Sequence, residues 1–312
     1  MKIAYLIAAH NDAEHLARLV HSLQPQSEFF IHIDAAVTIE PFRQLLAGSA
    51  NVHFCEQRVR VEWGNISQVD YQIALLEAYF RTGIACDRLC FLSGLDYPLW
   101  SNRQMDNFWE QAGDREYIKG IDMTIQRDSI TQGYRLYRPF TTLPLHNRRW
   151  KTRICIAGRK VLCALRIRKP LTFCIDGRSY RLHKGSSWWC ITPRLATWML
   201  NEIHTHPKLR TYFATSFGPD ETLWQTLAFH SPYASKALLQ ETPYTTLADL
   251  TPLHYIHYHP VIKILTEEDW DTLQQCGKMF CRKTVTGRSD KLLELIDRKR
   301  NENDIPPIHT QE

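Results

Sequence analysis

Ile3-Ala4-Tyr5-Leu6-Ile7-Ala8-Ala9-His10-Asn11-Asp12-Ala13-Glu14 is the stretch on which the fold turns. Its apolar run reads as a buried strand. Asn11 and Glu14 then form a capping-box pattern ahead of Leu16, Leu19, Val20 and Leu23, so a helix follows after a short loop. Residues 29–33 repeat the strand signal and lead into Asp34, and residues 51–55 repeat it again. Strand, helix, strand, helix, strand predicts a parallel sheet with helices on its faces. Ligands of such sheets sit beyond the carboxyl ends of the strands, where both His10 and Asp34 fall. Each is read equally well as a polar residue closing a loop.

Working outward, Ile66, Val69, Ile73, Leu76 and Phe80 recur at helical spacing, which predicts a helix over 65–80. Residues 88–93 read as a strand, and Ser101 with Gln104 as a capping box. Thr192-Pro193 starts a helix reaching about Ile203, and Gly218-Pro219-Asp220-Glu221 starts another. Thr266 opens a last core helix, which Gly277 ends. Residues 1–300 are expected to form one domain, with 301–312 a flexible tail. Residues 117–169 look irregular and are strongly basic from Arg148 onward. They are read mainly as a solvated charged face, the alternatives being an acceptor-side insertion or a patch for an anionic partner.

The chain has 312 residues, 44% hydrophobic and 23% charged, which is enough for a full core and argues against disorder. A net charge of +5 suits an anionic ligand such as a nucleoside diphosphate. The basic residues are spread out with no nucleic-acid motif, so no nucleic-acid partner is expected. Nine Cys, an odd number without C-x-x-C, disfavour a complete disulfide framework and a zinc site. With no run of about 18 apolar residues, no membrane span or secretory signal is expected. The expected location is the cytoplasm, with peripheral contact at the inner face of the membrane an option. No P-loop, G-x-G-x-x-G, H-E-x-x-H or G-x-S-x-G is present, which removes the usual support for kinase, oxidoreductase, zinc-protease and serine-hydrolase readings. No D-x-D stands at a strand end either. Asp269 and Asp271 have that spacing but fall in the first turns of a helix.

Phe91-Leu92-Ser93-Gly94-Leu95-Asp96-Tyr97-Pro98-Leu99 resembles the core-2/I-branching β-1,6-N-acetylglucosaminyltransferase family, which also contains the peptide O-xylosyltransferases. Five more segments fit in order: Ile3-Ala4-Tyr5 with His10, Ile31-His32-Ile33-Asp34, Val61-Glu62-Trp63-Gly64, Gly185-Ser186-Ser187-Trp188-Trp189 and Pro219-Asp220-Glu221. The resemblance runs from about residue 3 to residue 283. It implies a GT-A-like α/β fold with a mainly parallel central sheet flanked by helices, a UDP-sugar donor, inversion at the anomeric carbon and no divalent metal or other cofactor.

The resemblance also places roles. It puts the catalytic base at Glu221, where a carboxylate near a helix start suits the task; the plainer alternative is a helix cap. It puts the phosphate-binding lysine at Lys283, with Arg282 adjacent and Lys263 a second basic candidate. Ala8, His10 and Asp34 match positions around the uracil and ribose, and Trp63 with Gly64 shapes the nucleotide side. Asp96 either orients the donor sugar or closes a turn. Of Trp188 and Trp189, one would line the acceptor site and the other pack inward, as strand alternation requires. The resulting expectation is transfer of N-acetylglucosamine, or alternatively xylose, to a carbohydrate or glycoconjugate hydroxyl. A non-catalytic binding protein on the same fold is the rival.

Overall fold

A computed structural model of the chain describes residues 1–126, 129–141, 143, 148–258 and 261–304. The first half alternates as the sequence suggests: β1 (Ile3–Ala9), α1 (Ala13–Ser22), β2 (Glu28–Ile33), α2 (Glu40–Leu45), β3 (Val52–Phe54), α3 (Ser67–Thr82) and β4 (Arg88–Ser93). Then come β5 (Asp96–Pro98), α4 (Asn102–Ala112), β6 (Glu116–Asp122), α5 (Ser129–Tyr134), α6 (Arg148–Ala164) and the hairpin β7 (Thr172–Ile175) with β8 (Arg178–Arg181). The remainder is β9 (His183–Gly185), β10 (Cys190–Ile191), α7 (Pro193–Thr205), α8 (Lys208–Ala214), α9 (Leu223–His230), β11 (Ala237–Leu239), β12 (His254–Ile256), α10 (Trp270–Gln275), β13 (Phe280–Arg282) and α11 (Asp290–Asp304).

The main sheet runs β3-β2-β1-β4-β10-β6-β11, with β9 also paired to β6. β3, β2, β1 and β4 are mutually parallel, and β10 is antiparallel to both β4 and β6. Alternate side chains of the parallel strands feed two cores, as burial on both faces requires. Ala4, Leu6, Phe30, Leu89 and Phe91 pack with α3, α7 and α9; Ile3, Tyr5, Ile7, Phe29, Ile31, Cys90 and Leu92 pack with α1 and α4. This is the α/β architecture, helices on both faces of a mainly parallel sheet, that the sequence implied.

A smaller sheet, β12-β13-β5, sets Arg282 opposite Asp96 across an antiparallel pair. β9 lies against β6 with Gly185 opposite Gly120. Two glycines are needed there, because a Cβ on Gly185 would fall 1.9 Å from the Lys119 carbonyl oxygen. That close approach presses Lys184 into the interior, where its side chain is 1% exposed.

Several expectations change. The cap of α1 is Asp12, which accepts from the His15 N–H at 3.1 Å, and not Asn11. Residues 117–122, expected to be irregular, belong to β6 in the main sheet. The helix begun at Thr266 starts as a 3-10 turn and is not the last. α11 follows, burying Leu292, Leu293 and Ile296, and it extends to Asp304, so 301–304 are helical where a tail was expected; 305–312 lie outside the described residues. All nine cysteines are free. Among the described residues no helix is long and apolar enough to cross a membrane.

Candidate active site

The carboxyl ends of β1, β2 and β4 bring Ala8, His10, Asp34 and Ser93 to one edge. Ala8 sits half-buried between His32 and Ser93 in register, and its carbonyl accepts from the Gly94 N–H at 2.8 Å. Asp34 Oδ1 accepts from the Ala36 N–H at 2.8 Å and Oδ2 from the Val61 N–H at 3.3 Å. These bonds lay residues 58–64 across the end of β2 and form one wall of a cleft of about 800 Å³. His10, Trp63 and Gly64 line it, as do Arg138 and Arg159. Partial burial lowers the His10 pKa; the Asp34 charge opposes this, and the Lys283 and Arg282 charges add to it. His10, Asp34, Arg282 and Lys283 therefore share one electrostatic neighbourhood.

Asp96 anchors the next layer. It is wholly buried, and its oxygens accept from Arg282 Nη1 at 2.8 Å, Trp188 Nε1 at 2.9 Å and the Ser93 N–H at 2.7 Å. His254 Nε2 stands 3.3 Å away. Burial alone would push the Asp96 carboxyl up, but the Arg282 guanidinium and the His254 contact outweigh it and hold the group at about 2. The guanidinium also lies over the Trp188 ring, 4.9 Å from its centroid. Asp96, read either as orienting the donor sugar or as closing a turn, accepts from the Ser93 N–H of its own turn and holds Arg282 and Trp188. Trp189 is core, 1% exposed and stacked on Phe91 at 5.5 Å, so only Trp188 of the pair remains a candidate for the site.

Lys283 is different in kind. Among the described residues no carboxylate pairs with it, and burial together with Arg282 pulls its pKa down. Lys263 touches it only through the backbone, accepting from the Lys283 N–H at 3.4 Å. The Lys263 ammonium is committed to Asp269 at 2.7 Å, so Lys263 is not a free phosphate ligand.

Glu221 ends a 3-10 turn, Pro219–Glu221, and α9 begins only at Leu223. Glu221 therefore precedes the helix and does not sit inside its first turn. Gly218 holds a left-handed φ of 52°, and a Cβ there would come 3.3 Å from Glu221 Oε2. That oxygen accepts from Tyr134 Oη and, at 3.1 Å, from Lys184 Nζ. The carboxylate thus bonds Tyr134 and Lys184 in place of the cap of its own turn, and among the described residues no donor sits on Oε1. Beside it, burial and the Glu221 charge push the Asp220 carboxyl well above the usual range; Ser187 Oγ and Gln68 Nε2 donate to its Oδ2. Burial raises the Tyr258 hydroxyl too, aided by the Glu221 charge, with Asp220 and Asp96 adding and Arg282 opposing. Tyr258 thus feels the charges of both the Glu221 and the Arg282 clusters.

A sequence profile of the core-2/I-branching enzymes matches residues 3–274. The chain belongs to the core-2/I-branching enzyme family. It is a glycosyltransferase. No curated protein matches it significantly. Among solved structures it is similar to the galactosyltransferase LgtC in complex with donor and acceptor sugar analogues, at 11% identity and TM-score 0.39, covering 98% of each chain. It is also similar to the bifunctional glycosyltransferase WbbM, at 10% identity and TM-score 0.38, covering 95% of this chain and 51% of that one.

In this branching-family chain His10 and Trp63 line the cleft, Ala8 and Asp34 stand at the same strand ends, and Asp96 and Trp189 are buried. Sequence reasoning missed Tyr134, Lys184 and Tyr258. A lysine directly before Gly185-Ser186-Ser187 was a usable signal for Lys184, since only a paired lysine survives in the interior. Tyr134 and Tyr258 carry no local signal. Trp63 meets Phe217 at 5.5 Å and Phe217 meets Tyr134 at 5.4 Å, so the cleft mouth connects to Glu221 through a file of rings.

Proposed function

We propose that the chain transfers a sugar, N-acetylglucosamine before xylose, from its UDP donor to an acceptor hydroxyl, with inversion and without a divalent metal. The observation that carries this is Glu221, whose Oε2 is tied by Tyr134 and Lys184 while no described residue donates to Oε1. In one displacement the acceptor oxygen bonds to the anomeric carbon as the bond from that carbon to the diphosphate oxygen breaks. The acceptor proton passes to Glu221 Oε1. The electron pair leaves on the diphosphate, where Lys283, with Arg282 behind it, stabilises the gathering negative charge. Asp96 has the supporting task of holding Arg282 in place and partly balancing it. The preference for N-acetylglucosamine rests on the family resemblance.

The test is a panel of UDP-sugars on the purified chain, read as thermal shift and as slow donor hydrolysis. UDP-N-acetylglucosamine is expected to raise the melting temperature most, and UDP-xylose next. A panel in which no UDP-sugar or UDP shifts the melting temperature would overturn the proposal.

A further inference from the structure

The basic segment contains a helix in which apolar residues run between the exposed charges. Helix α6 carries Trp150, Ile154, Ala157 and Val161, and the turn after it Leu165, at spacings that stack them along one ridge. That ridge points to solvent: Trp150 is 58% exposed, Val161 57% and Leu165 64%. The opposite face, with Thr152, Cys155 and Arg159, lines the cleft. The usual amphipathic order is therefore reversed, with polar groups inward and an apolar ridge outward. Arg149, Arg153, Lys160, Arg166 and Arg168 are exposed around the ridge, and no acidic residue occurs from 148 to 175. Two other cations of the segment are turned inward: Lys151 pairs with Glu62 at 2.8 Å, and Lys169 is buried against Thr215 and Ser216.

We propose that this ridge docks the protein on an anionic phospholipid bilayer. An exposed apolar ridge marks an interaction surface, and its ring of cations selects an occupant that is apolar at depth and negative at its surface. A second copy of the chain would set cation against cation, so self-association is disfavoured by charge. Docking this way turns the outer side of α6 to the lipid and leaves the cleft on its inner side.

The experiment is co-sedimentation of the full chain with vesicles of phosphatidylcholine alone or mixed with phosphatidylglycerol; it involves no sugar transfer, so it stands apart from the proposed reaction. The chain is expected to pellet with the mixed vesicles and stay in solution with the neutral ones, and added salt is expected to weaken binding. Val161→Glu with Leu165→Glu is expected to abolish pelleting with an unchanged melting temperature, because both side chains are exposed. Arg153→Gln with Lys160→Gln is expected to weaken binding roughly fivefold per cation removed, and it decides the matter should the glutamate pair fail to fold. A wild-type chain that stays in solution with the mixed vesicles overturns the proposal, as does either variant pair binding like wild type. A wild-type dimer that the glutamate pair turns monomeric, with no vesicle binding, makes the ridge a self-association surface and also overturns it.

Discussion

At the scale of single residues, the coupling of Glu221 to Lys184 decides how the base is tested. Glu221→Gln removes proton acceptance and is expected to lower kcat about 10²-fold or more. It also strips the counter-charge from an ammonium that is 1% exposed. Breaking a buried pair from one side costs about 3–5 kcal/mol. The cost here is expected at the low end, because Glu221 is 25% exposed and losing its charge removes one of the effects that raise the neighbouring Asp220 carboxyl. Adding Lys184→Met should restore the melting temperature without restoring turnover. A double variant that recovers both would show that Glu221 serves structure alone. Lys283→Ala removes the one cation of the cluster that no carboxylate balances among the described residues. A charge-assisted hydrogen bond is worth roughly 1.5–3 kcal/mol, so UDP affinity measured by calorimetry should fall about ten- to hundredfold while the fold stays intact. Unchanged affinity would move the phosphate site elsewhere.

At the scale of elements, legibility followed burial. β1, β2 and β4 read clearly because both faces are covered and their apolar runs are unbroken. α11 did not, because Leu292, Leu293 and Ile296 stand among charges that themselves make specific ties. Asp297 bonds Arg18 and Tyr97, and Arg300 Nε donates to the Trp100 carbonyl at 2.8 Å. Leu293→Ala is expected to cost about 2–5 kcal/mol by chemical denaturation; a negligible change would mean that α11 is only loosely held. α6 was misread for a related reason, since a count of Arg and Lys hides the period of the apolar residues between them. Gly185→Ala is expected to cost more than the roughly 1–3 kcal/mol of ordinary overpacking, because the added carbon meets the backbone of β6, and turnover should fall with it as Lys184 shifts.

At the scale of the whole molecule, the strand-end residues were legible because topology alone places them. The pairings were not. Tyr134 and Glu221 are 87 positions apart and Lys184 and Glu221 are 37 apart, and such meetings are made by tertiary packing. Two bulk measurements follow from the assembled site. If cations stabilise the leaving group, transfer should persist in excess EDTA and change little with added Mn²⁺; activity lost on chelation and regained with Mn²⁺ would end the metal-free mechanism. The buried Asp96 cluster should set acid tolerance. Its folded pKa of about 2 lies below the ordinary 3.8, so its stabilisation is complete above that ordinary value and is lost as pH falls from about 4 toward 2. The loss is on the order of 2 kcal/mol, and Asp96→Asn, already destabilised near neutral pH, should lose correspondingly less across that window.

The chain has nine tryptophans, and Trp109, Trp189 and Trp224 are at most 1% exposed while Trp63 is 81% exposed and Trp150 58%. Native emission is therefore a composite, with its long-wavelength edge owed largely to two indoles. One stands in the cleft that α6 lines, the other on the outer ridge of the same helix. If the donor nucleotide enters this cleft it is expected to quench the first, and an apolar surface meeting the ridge is expected to shift the second to shorter wavelength. One cuvette, excited at the red edge, distinguishes a protein that has found its donor from one that has found its surface.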